Sequence, residues 1–104
     1  MTTETQAATP TQQVDDERVR VTEWRFAPGA HTGWHRHEYD YVVVPVTDGE
    51  LRIVDAEGEH RARLVLGQAY ARRAGVEHDV FNAGEAELAF IEVEIKAHGL
   101  DGPE

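Results

Sequence analysis

Residues 28–49 read PGAHTGWHRHEYDYVVVPVTDG, and their interpretation decides the fold. Three histidines, His31, His35 and His37, fall within seven residues and lead directly into the β-forming run 41–47, YVVVPVT. On an extended chain successive side chains alternate faces, so His35 and His37 point the same way. Two imidazoles on one strand face are half of a metal site, or else ordinary surface residues, and the rest of the chain must decide between these.

The remaining pattern is one of short strands. From residue 18, Val19 and Val21 share one parity while Trp24 and Phe26 share the other, which predicts a bulge near Thr22 and Glu23. Run 41–47 is too apolar for simple alternation and is expected to be buried on both faces or to lie in an interface. Asp48-Gly49 reads as a two-residue hairpin turn. Strands are predicted at 51–55, 60–66, 70–73, 78–81 and 88–96, with turns at Glu57-Gly58, Ala74-Gly75 and Asn82-Ala83-Gly84. In the last strand Leu88, Phe90 and Glu92 oppose Ala89, Ile91, Val93 and Ile95. No helix longer than a turn emerges. Strands spaced this regularly predict a single small all-β domain, a sandwich or barrel. Its expected bounds are residues 18–96, between a flexible, Thr- and Gln-rich tail at 1–17 and a loose tail at 97–104.

Composition narrows the function classes. The 104 residues include 20 Asp and Glu against 10 Lys and Arg, a formal net charge of −10. That field repels phosphate backbones and anionic lipid, which argues against nucleic-acid and membrane partners. The chain has no cysteine, so it has neither disulfides nor thiolate ligands. No apolar run approaches the ~20 residues of a membrane span and no signal peptide opens the chain, so a cytoplasmic location is expected.

A second histidine stretch lies forty residues on, GQAYARRAGVEHDVFN at 67–82, with His78 starting a strand just after a turn. Together the two stretches resemble the paired motifs of the cupin superfamily. Gly29, His35, His37 and Gly49 fit the first motif. Gly67, Gly75, His78 and Asn82 fit the second, with Arg73 where a proline is usual. Within the superfamily, GWHRHEYDYVVVP followed by RRAGVEH is similar to the small cupins of the β-alanine degradation (BauB-like) group. The resemblance implies a double-stranded β-helix, or jelly-roll, barrel holding a divalent metal on His35, His37 and His78. Imidazole nitrogens suit Fe, Zn or Ni rather than Mg or Ca.

The chain departs from the motif at its carboxylate, because that position falls on Tyr41 or Val42. Glu38 and Asp40 are close in sequence but have the wrong parity, so either would need a bulge to reach the ion. A three-histidine site is the preferred reading, with Asp40 as a possible fourth ligand. Iron on three neutral ligands could take a bidentate substrate plus dioxygen, as three-histidine cupin dioxygenases do. Zinc there could instead lower a bound water's pKa to about 7.

Around this centre, Arg72 and Arg73 are candidates to hold a carboxylate-bearing small molecule, since a guanidinium binds carboxylates bidentately. Tyr41 and Tyr70 are read as hydrogen-bond donors to a ligand or as core anchors. Tyr41 and Arg72 are the candidate catalytic groups, and Trp34 a pocket residue. His31 is expected at the rim, His60 and His98 in solvent, and Asn82 in a turn. Two functions follow: a metal-dependent, dioxygenase-like enzyme, or a cupin that binds or senses a small molecule without turnover. The apolar run at 42–44 and the spare N-terminal segment predict a homodimer by strand pairing.

Overall fold

A computed structural model describes residues 6–96. These residues form nine strands and no helix: β1 (Thr9–Asp15), β2 (Val19–Phe26), β3 (His35–Arg36), β4 (Asp40–Pro45), β5 (Gly49–Asp55), β6 (Gly58–Leu64), β7 (Tyr70–Arg72), β8 (Glu77–Asn82) and β9 (Leu88–Ile95). They build two antiparallel sheets with strand orders β1-β2-β9-β4-β7 and β3-β8-β5-β6. The result is the predicted all-β jelly roll. No helix among the described residues is long and apolar enough to cross a membrane.

The side chains facing inward follow strand parity. On β2 and β9 the pairs Phe26–Leu88 and Trp24–Phe90 line the interior, and the same face continues through Thr22–Glu92 to Arg20–Glu94. Phe26, Leu51, Leu64 and Leu88 are fully buried and close one end of the barrel. Each contributes roughly 1.5–3 kcal/mol through burial of its side chain. The opposite end is polar: it holds Arg20, Glu94, Tyr41 and the histidines.

Several expectations are corrected. Residues 9–15, expected within a flexible tail, form β1, paired along β2 with every side chain exposed. The predicted bulge lies not in β2, whose register with β9 is continuous, but in β1 between Gln12 and Val14. Strand β4 is not buried on both faces: Tyr41, Val43 and Pro45 point in, while Val42 and Val44 are half-exposed outside. Asp48-Gly49 does not make a hairpin, because β4 and β5 belong to different sheets. Gly49 is needed for another reason: a Cβ there would lie 2.4 Å from Leu88 Cδ1. Residues 97–104, including His98, lie outside the described residues.

Asn82 braces the closed end as expected of a turn residue. Its Nδ2 donates to the carbonyls of Phe26 (3.2 Å) and Ala86 (2.8 Å), and its Oδ1 accepts from the Gly84 amide (2.9 Å). That links three segments beside the core through one buried amide.

Candidate metal centre

His35 on β3 pairs directly across from His78 on β8, so the two rings share the inner face. His37 lies just past β3, yet its backbone stays bound to the same neighbour. Its N–H donates to the Val76 carbonyl (2.9 Å) and its carbonyl accepts from the Gly75 amide (2.8 Å). Gly75 has φ +99°, a conformation that glycine reaches without steric cost, and this lets the turn before His78 close against His37. His37 Nε2 then stands 3.0 Å from His35 Nε2 and 3.2 Å from His78 Nε2.

Three converging imidazoles need free lone pairs to bind a cation, and the surroundings favour that state. His35 Nδ1 donates to the Gly33 carbonyl (2.8 Å), with Thr32 Oγ1 3.2 Å away, which leaves Nε2 as the lone-pair nitrogen. Burial, then repulsion from His35 and His78, lowers the pKa of His37 to about 3. Burial, then His35, lowers His78 to about 4. Both rings are therefore neutral at physiological pH. Nitrogens in cis positions of an octahedral ion at ~2.1 Å stand ~3.0 Å apart, and on a tetrahedron ~3.4 Å. The observed 3.0 and 3.2 Å lie within the range that one ion can bridge. The donor set fits a divalent transition metal.

Of the two positions where the motif's carboxylate would fall, Val42 lies on the outer face and Tyr41 points inward, where it performs a different task. Its ring stacks on His37 with centroids 3.8 Å apart and planes 16° apart. Burial holds its hydroxyl in the protonated form by raising its pKa far above the ordinary value. The chain crosses from one sheet to the other between His37 and β4, and this corner leaves Glu38 exposed. Asp40 accepts from the Ala74 amide (2.7 Å) and lies 3.7 Å from Arg73 Nη1. Neither acid is gathered with the histidines.

A cavity of about 410 Å³ opens beside the histidines. His35, His78, Tyr41, Tyr70, Arg72, Trp24, Phe90 and Glu92 line it, with His60 and Arg61 also on its wall. Arg72 sits across from Tyr41 in the β4–β7 ladder and lies over the Tyr70 ring, 4.6 Å from its centroid. Arg73 and Trp34 do not line the cavity; Trp34 is 54% exposed, on the face opposite His35. His31 is also separate from the triad. Its Nδ1 lies 3.0 Å from both Asp79 carboxylate oxygens, and its ring stacks on Phe81. His60 is exposed, as expected, and its side chain also edges the cavity.

Two residues not singled out from the sequence stand beside the triad. Glu92 and Glu94 form with His37 a cluster whose ligand atoms lie within 4.8 Å of one another. Glu94 is buried and bound bidentately by Arg20, at 2.6 and 2.8 Å. Burial, then Glu94, pushes the Glu92 pKa up to about 7, against the opposing influence of the Trp24 side chain and Arg20. Their sequence signal was parity: both continue the inward face of Leu88 and Phe90.

Comparison with known proteins places this geometry. Residues 22–94 match the cupin domain family. The chain is 63% identical over 89 residues to the β-alanine degradation protein BauB of Pseudomonas aeruginosa, covering 86% of this chain and 94% of that protein. A cupin domain from Bordetella pertussis superposes with a TM-score of 0.90 at 52% identity, covering 92% of this chain and all of that one. A double-stranded β-helix protein from Klebsiella pneumoniae shares the fold at 17% identity, with a TM-score of 0.74 over 94% of this chain and 84% of its own.

Proposed function

This chain belongs to the cupin family, and on that premise we propose that it is a metal-dependent protein acting on a small carboxylate-bearing molecule. His35, His37 and His78 hold one Fe, Zn or Ni ion. The observation that carries this reading is the convergence of His35 and His78 on His37, Nε2 to Nε2 at 3.0 and 3.2 Å, with the His35 tautomer fixed from behind. A bound ion supplies Lewis acidity, and with iron also access to dioxygen chemistry.

The chain's own groups do the rest. Arg72 presents its guanidinium to the cavity, held over Tyr70, where it binds the ligand's carboxylate. Tyr41 holds the His37 ring by stacking and keeps its phenolic proton available as a donor at the cavity wall. Trp24 and Phe90 exclude water from the apolar side of the ligand. The similarity to a protein named for β-alanine degradation supports β-alanine breakdown as the setting, β-alanine being itself a small carboxylate. A cytoplasmic location follows from the same setting. A homodimer is favoured by the apolar outer face of Val42, Val44, Ile91 and Val93 and by the exposed edge strand β1 of the same sheet.

Turnover separates this reading from its alternative, a cupin that binds or senses without reaction. Metal-loaded protein is incubated aerobically with β-alanine and related small carboxylates, with oxygen uptake and product masses recorded. Consumption of a carboxylate supports the enzyme; a ligand recovered intact from a saturable complex supports the binding role.

A further inference from the structure

Building on the metal-centre reading, we propose that Glu92 completes the centre, its carboxylate joining His35, His37 and His78 on the ion. The family's motif places an acid on the strand after the histidines, and here Tyr41 fills that position with a stacked ring. The neighbouring strand β9 offers replacements, since Tyr41 pairs with Glu94 and Val43 with Glu92 on the inward face.

Glu92, and not Glu94, is the available group. Both Glu94 oxygens are engaged by the Arg20 guanidinium. Glu92 lines the ligand cavity together with His35 and His78, and also a second groove that His35 and His37 line. Glu92 groups with His37 and Glu94 rather than with His35 and His78: its oxygen lies within 4.8 Å of a His37 ring nitrogen, and rotation about its three side-chain bonds would bring it onto the triad. Among the described residues no lysine, arginine or histidine forms an ion pair with it; Arg20 acts on it only from a distance, its guanidinium being bound to Glu94. A carboxylate facing a low-dielectric cavity without a directly paired cation is costly, and so is a divalent ion held only by neutral imidazoles. Each supplies what the other lacks.

The test uses Co²⁺, whose visible absorption reports its coordination sphere, added to metal-free wild type, Glu92→Gln and Glu92→Leu. The expected result is one Co²⁺ per wild-type chain, an affinity lower on the order of tenfold or more in both variants, and an altered visible spectrum. Metal-free Glu92→Gln should melt at or above the wild-type temperature, which separates a lost ligand from a lost fold. Wild-type affinity and spectrum in both variants would overturn the assignment while leaving a three-histidine centre intact. Failure of the wild type itself to bind Co²⁺ would instead remove the metal centre, and this ligand with it.

Discussion

Tyr41 lies face to face with His37, centroids 3.8 Å apart, at the strand position where the cupin motif carries an acid. The ring therefore orients a ligand where the motif would supply one. Tyr41→Phe should keep the stack and leave metal affinity within a few-fold of wild type. Tyr41→Ala removes a 3%-exposed ring and should cost about 3–5 kcal/mol in chemical denaturation, with weaker metal binding. Equal metal affinity in Tyr41→Ala and Tyr41→Phe would show that the stack does not position His37.

The buried histidines make metal-free stability pH-dependent. With pKa values of about 3 and about 4, His37 and His78 stay neutral in the folded state while the unfolded chain protonates near 6.5. The unfolded state binds more protons below that pH, so stability falls as pH drops from about 6.5 towards 4. Each histidine contributes a slope approaching ~1.4 kcal/mol per pH unit. Glu92 acts in the opposite sense: its raised pKa contributes stability below about 4.5 that is lost as pH rises through about 7. Urea denaturation across this range should show the acid-side loss in wild type and a shallower one in His37→Phe. Parallel profiles for the two proteins would contradict the assignment.

Arg20 and Glu94 should behave as a unit. Arg20→Met leaves a buried carboxylate without its bidentate partner and should cost roughly 2–4 kcal/mol, discounted for the partial exposure of Arg20. Arg20→Met combined with Glu94→Met should recover most of that loss. A double variant as unstable as the sum of the singles would mean that the two side chains contribute independently.

Arg72 and Arg73 are adjacent in sequence but face different surroundings. Arg72 borders the cavity, whereas Arg73 lies beside Asp40. Arg72→Ala should weaken binding of a small carboxylate on the order of tenfold or more with metal content unchanged, while Arg73→Ala should leave binding near wild type. Calorimetric titration of both variants checks this, and the reverse pattern would exchange their roles.

The histidine half of the site was legible because strand parity and motif spacing report the same inner face. His35 and His37 are two apart, and Gly75 sets the turn that brings in His78. Glu92 was hidden in plain alternation, since its parity placed it inward with Leu88 and Phe90 but nothing in the sequence says which strand lies beside β4. Strand β1 escaped notice because every one of its side chains is exposed, so it has no apolar face for the sequence to display. Gly49 misled for a related reason. A glycine after an aspartate signals a hairpin locally, but this one accommodates Leu88 from a distant strand.

Elemental analysis of untagged protein, beside His35→Ala and His78→Ala, tests the central claim most directly. About one transition-metal ion per wild-type chain is expected, with little or none in either variant. Metal-free wild type that takes up no ion on reconstitution, or variants that retain the wild-type complement, would contradict a metal centre on His35, His37 and His78.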